Sequence, residues 1–191
     1  MSAFALTLAE FVVARGWLER EVVRRGGANL RAAIVDAAEF VALARFADTV
    51  RLVVPSESDA DLHLLAAARN HLTPVETALD VVTDGSDDLE MPVDIEPGSR
   101  DLDAARLLEL ADQTLLVLFE FLCREIDDRD GTNLGASFVS PSEFWALNGA
   151  QCVLEKGSFY SVARDYREQL TEARRALADA SVEFKANGSE T

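Results

Sequence analysis

FYSVARDYREQLTEARRALADASVEF, residues 159–184, decides the fold class. Its apolar members Phe159, Ala163, Tyr166, Leu170, Ala173, Leu177, Ala180 and Phe184 recur at alternating intervals of four and three. That is the spacing of one face of an α-helix, and nothing interrupts it. A helix of this length extends about 39 Å. Small alanines between larger side chains let a neighbouring helix approach closely. The stripe is longer than a short bundle helix needs, so the reading also makes it the expected seam of a homodimer.

The same periodicity spreads outward from this segment. Residues 101 to 127 predict a central helix, with Ala104, Leu108, Ala111, Leu115, Leu118 and Leu122 on its seam and apolar groups on nearly every side from Leu115 to Cys123. Ser140-Pro141-Ser142-Glu143 reads as a capping box that opens a helix to about Leu154. In the first half, Phe4, Leu8, Phe11, Leu18 and Val22 predict a helix over 3–24, stopped by Gly26-Gly27. Asn29 would cap a second helix to Asp48, and Ser58 would open a third to about His71. The run Val50 to Val54 reads equally as a brief strand or a helix end. Leu89, Met91, Val93 and Ile95 alternate with Glu90, Pro92 and Asp94, so a small β-hairpin is expected near residues 80–96.

The expected architecture is therefore mainly α, a bundle of six or seven helices with that hairpin. It is read as a single domain over 1–191, with an N-terminal part to residue 98, a C-terminal part from 99 to 185 and a frayed tail. No internal repeat or low-complexity segment stands out.

Composition speaks about surroundings. There are 34 acidic residues against 18 basic ones, a net charge of −16, and only Lys156 and Lys185 are lysines. With 49% hydrophobic residues the core is not depleted, so carboxylates are expected to coat an ordinary apolar interior. Salt adaptation of the halophilic kind fits this pattern, because screening relieves the self-repulsion. An Arg-rich, GC-biased genome would produce it too. Cys123 and Cys152 lie in apolar surroundings and read as small buried hydrophobes. The opening residues lack a basic region before their apolar run, and the longest uncharged stretch is too short for a bilayer, so a cytoplasmic, membrane-free protein is expected.

Candidate sites are few. Asp59, His63 and His71 lie on one predicted helix and could contribute to a metal site, although Asp59 near a helix start and His71 near its end also suit the helix dipole. Glu120 sits in an apolar run, four residues before Arg124, with which it is expected to pair. Arg15, Arg20, Arg24, Arg25 and Arg31, with Trp17, form the one locally basic stretch, beside Gly26-Gly27. They could cradle an anion or dock an acidic partner, or pair with the protein's own carboxylates. Residues 70–99 carry eight acids and no base, which argues against direct sequence-specific DNA reading through that segment.

No phosphate loop, nucleophile elbow, paired-cysteine motif or zinc-protease motif is present. No catalytic residue and no cofactor is assigned. The reading is a non-enzymatic, intracellular interaction or regulatory protein with a protein partner. The alternatives are a carboxylate- or metal-dependent hydrolase using Asp59, His63 and His71, and a nucleic-acid accessory touching phosphate through the arginine stretch.

Overall fold

The computed structural model describes residues 2–53, 60–73, 102–156 and 165–187. Strand β1 (Ser2–Thr7) leads into helix α1 (Leu8–Leu18), which continues as a π-helical turn over Glu19–Arg24. A 3₁₀ turn at Ala28–Leu30 precedes α2 (Ala37–Val53) and α3 (Ala60–Leu72). The chain then repeats the sequence of elements. Strand β2 (Ala105–Leu110) leads into α4 (Asp112–Leu122), a π-helical turn at Cys123–Asp127 and a 3₁₀ turn at Thr132–Ser137. Helices α5 (Pro141–Lys156) and α6 (Tyr166–Asn187) follow. The mainly α class expected from periodicity holds.

The two halves are copies of one unit, offset by 104 residues. β1 and β2 pair antiparallel with Phe4 opposite Leu108, its own equivalent, so an approximate two-fold axis passes between them. From Glu21 to Phe40 every residue has the same degree of burial as the residue 104 positions on. Twelve of the 24 residues from Arg20 to Leu43 are identical to those equivalents, enough to establish a repeat that the periodicity reading did not find. Both halves feed one core, which includes Phe11, Trp17, Leu30, Leu43 and Phe46 from the first and Leu115, Phe121, Leu134, Leu147 and Leu154 from the second.

The starts of three expected helices change. The helices anticipated from residues 3 and 101 begin later, because residues 2–7 and 105–110 are the strands. A spacing of four, such as Phe4 to Leu8 or Ala104 to Leu108, fits a period of two as well as 3.6, so the apolar pattern alone could not separate them. Thr7 then starts α1 with a capping box: its hydroxyl accepts from the Glu10 N–H while the Glu10 carboxylate accepts from the Thr7 N–H. The helix placed from Asn29 starts at Ala37 instead, since the Asn29 amide donates to Glu21 rather than capping. The expected hairpin at residues 80–96 lies outside the described residues; the sheet among the described residues is the β1–β2 pair.

The final seam is used inside the chain. Helix α6 packs on α2 and α4, with Ala173 and Leu177 buried in the shared core and Tyr166 and Leu170 against it. Ala173 and Leu177 of the expected homodimer seam are thus closed off within the chain, while Tyr166 and Leu170 keep part of their surface exposed. Phe159 and Ala163 lie outside the described residues, as do the side chains of Ala180 and Phe184.

Candidate interaction site: two arginine–glutamate clamps and the connections they hold

Among the described residues, a buried polar construction repeats across the two-fold axis. Arg20, in the π-helical turn after α1, donates through both terminal nitrogens to Glu143 of the other half, at 2.9 Å each. Its Nη2 also donates to the Ser137 carbonyl, and its Nε to Glu21 at 2.6 Å. Arg124 repeats each bond across the axis, to Glu39 at 2.6 and 2.9 Å, to the Ala33 carbonyl and to Glu125. Arg69 on α3 reaches Glu143 at 3.0 Å, and Arg174 on α6 reaches Glu39 at 2.9 Å. The buried Nε of Arg69 and that of Arg174 both lack a hydrogen-bond partner, so even the shortfall repeats.

All four carboxylates, Glu21, Glu39, Glu125 and Glu143, are fully buried. A buried carboxylate is tolerable only when paired and hydrogen-bonded. Here each receives two guanidinium groups plus a backbone or amide N–H. Glu39 accepts from the Val35 N–H and Glu143 from the Val139 N–H, while Asn29 and Asn133 donate to Glu21 and Glu125. Desolvation pulls the pKa of Arg124 down, but its bonds and charge contacts with Glu39 and Glu125 outweigh that and leave it raised; Arg20 follows suit with Glu143 and Glu21. The capping-box reading of Glu143 needs correcting on this point. Its helix starts as expected at Pro141, but its carboxylate serves Arg20, Arg69 and Val139 instead of the cap.

The clamps fix the connections between the first two helices of each half, residues 22–36 and 126–140. Gly27 and Gly131 take left-handed φ values of 75° and 68°. A Cβ on either would stand 2.9 Å from Phe40 or Phe144, again equivalent residues. Gly26 and Asp130 are left-handed too, at 57° and 50°. The two connections lie against each other through their 3₁₀ turns. Inside them the sequence is nearly the same; outside, apart from the shared Arg25 and Arg129, it differs in charge. The exposed positions of the first carry Arg24, Arg25 and Arg31, and those of the second Asp127, Asp128, Arg129 and Asp130.

The residues singled out in the sequence divide accordingly. Trp17, expected as a stacking surface, is fully buried, and its Nε1 donates to Ser137 at 3.0 Å. Arg20 belongs to the clamp, and Arg25 is tied to Glu21 at 2.7 Å. Arg15 is half-buried on α1. Arg24 is exposed with a loose 3.5 Å contact to Glu19, and Arg31 is exposed with no ion pair among the described residues. The pure anion cradle is thus reduced to Arg24, Arg25 and Arg31. His63 and His71 lie on α3, with His71 Nε2 3.1 Å from Asp103, while Asp59 lies outside the described residues. Among the described residues no three His, Cys, Asp or Glu side chains group closely enough to hold a metal. Glu120 accepts from the Tyr166 hydroxyl at 2.6 Å, not from Arg124, which the clamp has taken.

Sequence reasoning missed Glu21, Glu39, Glu125 and Arg174, and cast Arg124 only as the partner of Glu120. The repeated string Arg-Glu, Arg, Gly, Asn-Leu at 20–30 and 124–134 was the available signal. Among the described residues no helix is long and apolar enough to cross a membrane. No family model, curated protein or solved structure matches the chain.

Proposed function

We propose that this chain is a non-enzymatic interaction protein, working in the cytoplasm, that docks a protein partner on the paired connections 22–36 and 126–140. The observation that carries this is the contrast between their two sides. The buried ionisable groups are consumed in the clamps and hold the backbone still. The outward groups Arg31, Asp127, Asp128 and Asp130 take no part in the clamps, and beside them Val35 and Val139 are more than half exposed, at 58% and 60%. A rigid backbone that presents outward charges and two apolar side chains loses little entropy on binding. Its chemistry suits a partner with an acidic patch beside a basic one. The free thiols of Cys123 and Cys152 agree with a reducing compartment.

Site-specific photo-crosslinking in cell extract tests the reading. A crosslinker replacing Val35 or Val139 is expected to give a protein adduct of one defined mass, and one replacing Leu62, equally exposed on α3, is not. Equal labelling at all three positions, or none at any, would refute the proposal.

A further inference from the structure

We infer that the partner on this face is a second copy of the chain, which lays its basic connection on the acidic connection of the first. This rests on the interaction reading above and names the occupant of the same surface. The first connection, residues 22–36, holds three arginines and Asp36, a charge of +2, with Asp36 turned to Arg174. The equivalent residues 126–140 hold three aspartates and Arg129, a charge of −2. The internal two-fold sets these two side by side on one face, because the connections touch each other across the axis.

A half-turn about a line perpendicular to that axis brings the basic connection of one copy onto the acidic connection of another. The same operation brings acidic onto basic at the other end. One closed, isologous contact therefore makes two favourable pairings and no like-charge pairing of the connections as wholes. Val35 and Val139, at equivalent positions and more than half exposed, supply apolar contact area on the two connections. A generic acidic partner would meet Asp127, Asp128 and Asp130, and a generic basic one would meet the arginines. A second copy meets neither conflict. The overall charge of −16 opposes approach at low ionic strength, but at about 0.15 M salt the screening length is about 8 Å, which leaves contact charges dominant.

Charge exchange on the intact chain decides the matter. The variant R24E/R31E makes both connections acidic, and D127R/D128R makes both basic. Each is checked for wild-type helicity and melting, since all four positions are exposed. Mass is then measured by light scattering at about 0.15 M salt. The wild type is expected at twice 20.8 kDa, each variant alone at 20.8 kDa with self-affinity weakened at least about tenfold, and their equimolar mixture at twice 20.8 kDa again. Recovery in the mixture is what a folding defect cannot produce. A wild type that stays at 20.8 kDa at every soluble concentration, or a mixture that stays there, overturns the inference. In that event the crosslinking result still stands or falls alone, because it identifies a different protein by adduct mass.

Discussion

The two halves of this molecule share an interior and differ in their exteriors. Arg20, Glu21, Arg25, Gly27, Asn29, Leu30 and Glu39 recur as Arg124, Glu125, Arg129, Gly131, Asn133, Leu134 and Glu143. At the exposed positions between them, Val23, Arg24, Gly26 and Arg31 become Asp127, Asp128, Asp130 and Gly135. Burial explains most of the first set, since a buried charge that loses its partner is costly whichever half it sits in. The exposed Arg25 and Arg129 are there to pair with the buried Glu21 and Glu125. Nothing about folding requires the second set to alternate in sign, and surface substitutions of that kind usually change stability by under about 0.5 kcal/mol. What a fold needs and what a surface offers are therefore separated within one chain.

The largest expected effect tests whether the two clamps are equivalent. Glu143→Ala takes a partner from Arg20 and Arg69, and Glu39→Ala takes one from Arg124 and Arg174. Each should lower unfolding free energy by about 3–5 kcal/mol in urea titration. The loss at Glu143 should be the larger, because Asp36 still holds Arg174 at 2.8 Å while its equivalent, Ser140, carries no charge to hold Arg69. A loss below about 1 kcal/mol at either site would mean that the clamp is a surface feature.

Next come the left-handed positions. Gly27→Ala and Gly131→Ala should each cost about 2 kcal/mol, from the backbone penalty and from contact with Phe40 or Phe144. Gly26→Asp introduces the residue found at position 130, at a site where a Cβ would meet nothing within 4 Å, and should cost under about 1 kcal/mol. Thermal melts that rank Gly26→Asp as worse than Gly27→Ala would break the equivalence of the two turns.

A smaller effect probes where the interiors differ. Trp17 donates to Ser137, while their equivalents, Phe121 and Ala33, have no such bond to make. A double-mutant cycle of Trp17→Phe and Ser137→Ala should give a coupling of about 1 kcal/mol, the size of one buried hydrogen bond. Zero coupling would show that the indole N–H contributes nothing.

The smallest effect concerns Cys123, which stands where the first half has Glu19. Burial pushes its thiol up to about 11 from an ordinary 9.0. The folded state therefore holds the proton more tightly than the unfolded one. Stability from this group is complete below pH 9 and declines as pH rises through 11, a loss that Cys123→Ser should shift toward higher pH in alkaline melts. Slow alkylation at about pH 8 checks the same point.

Much of the fold was legible. Apolar spacing located α6, the start of α5 at Pro141 and the stop at Gly26-Gly27, because helix periodicity and special turn residues act locally. The strands were hidden by an interval of four that suits either structure, as at Phe4 and Leu8. The candidate face was half legible. Arg24, Arg25 and Arg31 stood out as charge, but Trp17 and Arg20 looked alike beside them, and a linear sequence does not say which of them points inward.

By itself, then, the sequence determined the helical class and the helix stops, which follow from residues near one another, and the net charge of −16. Only the tertiary structure decided that α6 closes on its own chain, that four glutamates are buried, and that opposite charges share one face. Those outcomes depend on groups about a hundred residues apart meeting across a two-fold axis, and long-range pairing leaves no local trace except the residues it demands.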